Sequence, residues 1–273
     1  MAKVKAATYA ERLTAKTSER GRLCVGIDPM PSVLEAWGES LDVAGLERVA
    51  RGIVETLGTT IAVFKPQSAF FEPYGSAGIA VLERVIDDIR QAGAISVLDV
   101  KRGDIGSSMS GYAEAYLGDG PLGVDAMTVS PYLGFGSLKP AIKLAEENKR
   151  GIYVLARTSN PDGTSLQMAK SFGVSVAQTI VDEAARANQK RDNLVGLVIG
   201  GTHGDIGCEV DDFNGSILVP GIGAQGGKIE DLRGSFGPAV AHVLPTASRE
   251  VIGGGQAELE ERAARLLEAV SAL

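Results

Sequence analysis

Histidine and cysteine are nearly missing from this chain, which has only Cys24, Cys208, His203 and His242 in 273 residues. That excludes a disulfide framework and a Cys/His zinc cluster, since both need several such residues at short spacing. Cys24 lies in an apolar run and reads as a buried thiol. Cys208 and His203 fall in loop regions, where a lone residue is more often incidental than chemical. His242 reads as a hydrogen-bonded core residue in a strand. A basic surplus is missing too. The formal net charge is −7, whereas a nucleic-acid binder presents a basic face. No apolar run reaches membrane-spanning length. No hydrophobic stretch follows Met1-Ala-Lys-Val-Lys5, so no signal peptide is expected and the expected location is the cytoplasm. No linker-like or low-complexity stretch divides the chain, which reads as one domain over residues 1–273.

What the chain has is a recurring short apolar run. Eight occur: Leu23–Ile27, Ile61–Phe64, Ile95–Val100, Ala126–Val129, Ile152–Leu155, Leu194–Ile199, Ile217–Val219 and Ala241–Leu244. Runs without polar alternation suit strands buried on both faces, as in parallel sheets. Helical spacing separates several of them. Leu82, Val85, Ile86 and Ile89 share one face, as do Val176, Ile180 and Ala184, and Leu259, Ala263, Leu266 and Val270. Thr8 and Glu11 can form a capping box for a helix ahead of the first strand. The segment from Gly201 to Gly215 has no helix period. Eight β/α units in this length predict an α/β fold, a single (β/α)8 TIM barrel with an N-terminal helix. The glycines of Pro220–Gly226 lack the G-x-G-x-x-G spacing and come late, which argues against an open dinucleotide-binding sheet.

In such barrels the chemistry gathers at the C-terminal strand ends, and here every one is polar. The first ends in Asp28, the second in Lys65, and the third carries Asp99, Lys101, Arg102 and Asp104. The fifth ends in Arg157-Thr-Ser159-Asn160, the seventh in the glycine loop, and the eighth in Ser248-Arg249. Asp99 and Lys101 are two apart, so a regular strand would point both into the barrel. On that spacing alone a structural ion pair and a catalytic pair are equally good readings. Lys65, at a neighbouring strand end, tilts the balance toward catalysis. Glycines 221, 223, 226 and 227 are expected to leave backbone N–H groups free for an anion, with Arg249 beside them, where this fold usually holds phosphate.

Val97-Leu-Asp99-Val-Lys101-Arg-Gly-Asp104-Ile105 is similar to the D-x-K-x-x-D signature of the orotidine 5′-phosphate decarboxylases. Cys24–Pro29, Phe64–Gln67, Ser130–Leu138, Thr158–Pro161, Leu218–Gly227 and Ser248–Glu250 extend the resemblance, in order, to a longer bacterial subfamily. The resemblance implies a cofactor-free conversion of orotidine 5′-phosphate to uridine 5′-phosphate and CO2, the last step of pyrimidine nucleotide synthesis, with no metal. It implies a charge network of Lys65, Asp99, Lys101 and Asp104. Asp104 and Ile105 would reach into a partner subunit's site, making a homodimer with composite sites. Asp28 and Lys65 would contact the ribose, Ser159 and Asn160 the pyrimidine, and Gln225, Arg249 and the loop near Gly223 the phosphate. Ser108 stands where the signature usually has threonine, which keeps the hydroxyl and loses a methyl contact.

Two rival readings remain open. One is a Mg²⁺-dependent sugar-phosphate decarboxylase or aldolase of the same suprafamily. A metal site wants carboxylates without competing cations, so the interleaved lysines weigh against it. The other is a non-catalytic sensor of a phosphate ligand, which accounts for the glycine loop and Arg249 but not for the lysines.

Overall fold

The structure, a computed structural model, describes residues 6–273. The first five residues, on which the signal-peptide reading rests, lie outside the described residues. Eight parallel strands close a barrel in sequential order: Cys24–Ile27, Val63–Pro66, Ile95–Arg102, Ala126–Val129, Gly151–Arg157, Val195–Ile199, Ile217–Val219 and Val243–Ala247. The eighth strand returns to the first in the register Cys24↔Thr246 and Val25↔Ala247. Closure removes the sheet edges that would otherwise leave unpaired backbone groups.

The predicted helices form where the apolar spacing puts them. Leu82, Val85, Ile86 and Ile89 are buried in Gly75–Gln91, and Ile180 and Ala184 in Val176–Asn188, where Val176, expected on the same face, is instead exposed at the helix start. Leu259, Ala263 and Val270 are buried in Leu259–Ser271. Among the described residues no helix joins the sixth and seventh strands; Ile206, Val210 and Phe213 anchor that connection to the core. After the fifth strand the chain adds a short helix, Thr164–Gln167, and a two-stranded hairpin, Lys170–Ser171 with Val174–Ser175.

The core has two layers. The larger lies between strands and helices. The smaller fills the barrel and includes Cys24, Val63, Ile95, Val97, Tyr153, Leu218 and Leu244. At the N-terminal end of the strands the helix Tyr9–Arg20 covers the barrel. Its capping box is present: the Thr8 hydroxyl accepts from the Glu11 N–H and the Glu11 carboxylate accepts from the Thr8 N–H. Tyr9 meets Tyr153 edge-on, with the two hydroxyls 2.8 Å apart, and the Tyr153 hydroxyl bonds Ser216 Oγ at 2.6 Å. Arg12 pairs with Asp125 at 2.6 Å. No helix among the described residues is long and apolar enough to cross a membrane.

One expectation fails here. His242 is not a core residue of a strand; it is exposed and ends a 3-10 helix, Gly237–His242. The eighth strand starts only at Val243, because the turn beginning at Gly237-Pro238 takes up Ala241 and His242.

Candidate active site

The C-terminal strand ends surround a cavity of about 450 Å³. Asp99 stands at its base. The carboxylate is buried and has four side-chain donors. Oδ1 accepts from Lys101 Nζ at 2.7 Å and Thr128 Oγ1 at 2.9 Å; Oδ2 accepts from Gln67 Nε2 at 2.8 Å and Lys65 Nζ at 3.2 Å. Burial alone would raise this carboxyl. The charges of Lys65 and Lys101, with hydrogen bonds from Lys101 and Thr128, outweigh it and hold the group well below the usual carboxylate range. Lys65 is also buried. Its desolvation favours the neutral amine, but Asp99 and Asp28 reverse this and hold the ammonium above the usual lysine range. Asp28 Oδ1 lies 3.9 Å from Lys65 Nζ.

Lys101 reaches this network by a route that strand alternation does not describe. Its backbone is left-handed, at φ 45°, and the register between the third and fourth strands shifts between Leu98 and Arg102. The break would orphan two ladder donors. Thr128 Oγ1 takes both, accepting from the N–H of Val100 at 3.0 Å and of Lys101 at 2.9 Å. The side chain of Lys101 is therefore 46% exposed at the mouth rather than buried inside. One buried carboxylate and one half-exposed cation meet there, instead of the two buried charges that regular alternation predicts.

Two buried polar atoms in the cavity wall, Asp28 Oδ1 and Ser248 Oγ, have no hydrogen-bond partner. Burying such atoms is costly unless something bonds them, so they suit a hydroxyl-bearing ligand. Gly26 makes room for Ser248: a Cβ at Gly26 would lie 2.7 Å from that of Ser248. Across the cavity, Ser159 Oγ donates to Gln225 Oε1 at 2.9 Å, joining the loops after the fifth and seventh strands. Arg249 opens the short helix Arg249–Ile252 and lines the cavity, and its guanidinium has no hydrogen-bond or ion-pair partner among the described residues.

The glycine loop differs from expectation. The N–H groups of Gly223, Gly226 and Gly227 are not free; they donate within the loop to Gly227, Gly223 and Gly221 carbonyls. Positive φ at Gly221, Gly223 and Gly226 lets the chain fold on itself this tightly. Gly223 therefore shapes the loop, which brings the Gln225 side chain to the cavity, while Arg249 comes from beyond the eighth strand.

The structure gathers Asp28, Lys65, Asp99, Lys101, Ser159, Asn160, Gln225 and Arg249 on one cavity. It does not bring Asp104, Ile105 or Ser108 there. Asp104 Oδ1 accepts from the Ile105 N–H at 2.8 Å, Ile105 is 63% exposed, and Ser108 is exposed on the helix Gly106–Leu117. Among the lining residues that carried no role in the sequence reading are Gln67, Thr128 and Gln167. Gln67 follows Lys65 by two, a spacing that could have marked it; Thr128 in an apolar strand looks like any β-branched residue. Burial pushes the Cys24 thiol up to about 12 and that of Cys208 up to about 11, which disfavours the reactive thiolate.

Family-level comparison matches residues 21–264 to the Orotidine 5′-phosphate decarboxylase / HUMPS family. The chain belongs to this family. It is similar to the orotidine 5′-phosphate decarboxylase of Salinispora tropica, with 52% identity over 252 residues covering 91% of each chain. That of Streptomyces coelicolor is 51% identical over 251 residues, 90% of each chain. A crystal structure assigned to the Streptomyces avermitilis enzyme superposes with a TM-score of 0.94 at 49% identity, covering 100% of this chain and 98% of that one.

Proposed function

We propose that this member of the family removes CO2 from orotidine 5′-phosphate to give uridine 5′-phosphate, using a Lys/Asp charge network without a cofactor. The observation that carries the reading is Asp99, a buried carboxylate held ionised between Lys65 and Lys101 at the floor of a nucleotide-sized cavity. The bond between C6 and the carboxylate breaks and its electron pair stays on C6, in the ring plane, where ring resonance cannot spread it. The protein must then stabilise it electrostatically. The substrate carboxylate sits against Asp99, and Lys101 beside C6. Two unit charges ~4 Å apart interact by about 4 kcal/mol at an effective dielectric of about 20. The repulsion from Asp99 fades as neutral CO2 departs, while the attraction to Lys101 grows as charge reaches C6. Both changes favour the transition state over the bound substrate. Lys101 then gives a proton to C6.

The remaining residues orient the nucleotide. Asp28, with its unpartnered Oδ1, and Lys65 take the ribose hydroxyls. Ser159 and Asn160 face the pyrimidine, and Gln225 and Arg249 the phosphate. A divalent cation would have to displace ammonium groups from Asp28 and Asp99, so the Mg²⁺-dependent reading has no carboxylates to spare. The deciding experiment follows the absorbance of orotidine 5′-phosphate with and without chelator. Turnover should survive chelation; a large loss restored by Mg²⁺ would overturn the reading.

The site within one chain lacks Asp104, which fits a homodimer in which Asp104 and Ile105 complete the neighbour's cavity. Ile105, Tyr112, Tyr132 and Leu133 are exposed apolar residues on this part of the chain, available for such a contact. Mixing inactive Asp104→Ala with inactive Lys101→Ala should restore activity, because one of the two heterodimer sites then carries neither defect. No recovery despite verified subunit exchange would return Asp104 to its own subunit's site.

A further inference from the structure

A buried cation behind the cavity wall has no role in the proposed reaction. Arg157 ends the fifth strand, is 6% exposed, and has no ion-pair partner among the described residues. Its Nη1 donates to Gln167 Oε1 at 3.3 Å and its Nη2 to Thr164 Oγ1 at 3.0 Å. Gln167 Oε1 also accepts from the Thr158 N–H at 3.0 Å. A guanidinium and a backbone N–H can only donate, so together they fix which end of the Gln167 amide faces them. Gln167 Nε2 must then point the other way, and it donates to Thr158 Oγ1 at 2.7 Å. The single hydroxyl hydrogen of Thr158 is left for Asn160 Oδ1, 2.7 Å away. With that hydrogen given to Asn160, the bonds run in one direction, from Arg157 to Asn160. Its last free group is the Asn160 amide N–H2, which has no partner among the described residues. Gln167, Thr158 and Asn160 all line the cavity.

We infer that Arg157 and Gln167 are positioning residues that fix this direction, so that Asn160 offers donors and the site prefers a base with a ring carbonyl over one with an amino group at that edge. The inference rests on the nucleotide reading above. The segment's backbone is pinned separately, by Thr202 Oγ1 donating to the Ser159 carbonyl at 2.9 Å and by His203 Nε2, 2.9 Å from the Thr158 carbonyl oxygen. Changing Gln167 therefore alters the polarity of the chain more than the course of the loop.

Gln167→Glu separates direction from support. The new carboxylate still accepts from Arg157 and from the Thr158 N–H, but it can donate nothing. The Thr158 hydroxyl turns toward it, and Asn160 turns its N–H2 to Thr158 Oγ1 and presents Oδ1 to the ligand. The test is calorimetric binding of UMP, which has a carbonyl at ring position 4, against CMP, which has an amino group there. The preference of the parent protein for UMP should fall by about tenfold or more in Gln167→Glu. Its melting temperature should not fall, since Arg157 gains a counter-charge. A folded Gln167→Glu with the parent's UMP/CMP ratio overturns the inference. Should that variant fail to fold, Thr158→Val deletes the relaying hydroxyl, and an unchanged ratio there overturns it equally. A parent protein that binds neither nucleotide overturns the nucleotide reading and this inference with it, whereas an unchanged ratio overturns this inference alone.

Discussion

The same eight strands build two opposite ends. At the N-terminal end they present Cys24, Val63, Ile95, Val97 and Tyr153 to a closed apolar interior, and the helix Tyr9–Arg20 seals it. A few residues further along, the same strands present Asp28, Lys65, Asp99 and Thr128 to an open cavity. Close approach without side chains serves both ends. At the sealed end a Cβ on Gly151 would lie 2.4 Å from the Tyr9 ring, and at the open end Gly26 leaves room for Ser248. At the sealed end the hydroxyls of Tyr9, Tyr153 and Ser216 satisfy one another in a short line, although Asn214 Oδ1 beside them is buried without a partner. The polar groups at the open end satisfy one another only in part, leaving Asp28 Oδ1, Ser248 Oγ and the Arg249 guanidinium without a hydrogen bond among the described residues. Most of the unmet bonding capacity thus lies at the open end, and substitutions that divide cleanly between folding and chemistry test that division.

The largest effect belongs to Lys101→Ala. Loss of the proton donor alone should cost about 10²–10⁴-fold in turnover, and loss of its charge beside C6 adds to that. Because the side chain is half exposed, the fold should hold and binding of UMP should persist. Normal turnover in a folded variant would reduce Lys101 to a structural ion pair. Thr128→Val comes next, and it is the one position where the two ends mix. It removes a donor to Asp99 and orphans the N–H groups of Val100 and Lys101, each costing about 1–3 kcal/mol. Denaturant unfolding should show the loss, turnover should fall with it, and Thr128→Ser should rescue both. A stable, fully active Thr128→Val would show that the left-handed turn at Lys101 stands without the hydroxyl. Arg249→Ala should weaken kcat/KM by about tenfold to a hundredfold for the nucleotide. It should leave the bare nucleoside, which has no phosphate to bind, nearly untouched. Equal losses for both substrates would make Arg249 structural.

Much of this division could be read from the sequence, for physical reasons. Strands buried on both faces tolerate no charge without a partner, so Lys65, Asp99 and Lys101 stand out from apolar runs. The capping box at Thr8 and Glu11 is local, and local rules suffice for it. What could not be read depends on chain segments meeting in space. Asp99 and Lys101 were legible as a pair, but the left-handed backbone at Lys101 depends on a register break with the fourth strand and on the Thr128 hydroxyl that mends it. The glycine loop was legible as a turn, yet the N–H groups of Gly223, Gly226 and Gly227 are consumed by its own carbonyls, which no spacing rule reveals. His242 was misplaced by one turn of 3-10 helix, because a short apolar run does not show where a strand begins. Gln167 lies on a four-residue helix of an insertion, and only the folded chain brings it to Arg157 and Thr158.

The smallest predicted effect sharpens the comparison from the sealed end. Tyr153→Phe removes the hydroxyl shared with Tyr9 and Ser216 and nothing else. Two neutral hydrogen bonds are lost, each worth about 1 kcal/mol, so at pH 7 the variant should be less stable by about 2 kcal/mol, with kcat and KM unchanged. Alkaline pH gives a second readout with a defined sign. Burial, the main cause, raises the Tyr153 hydroxyl well above the ordinary tyrosine value. A raised folded-state value contributes stability that is fully present below the unfolded value, about 10, and is lost as pH rises through the folded one. Above about pH 10 the unfolded parent ionises Tyr153 while the folded parent cannot, so the parent loses stability that the phenylalanine variant never had. The gap between parent and variant should therefore narrow between about pH 9 and 11, where urea midpoints can follow it. A gap that stayed constant would mean that Tyr153 ionises as easily in the folded protein as in the unfolded chain, and that the sealed end is open to water after all.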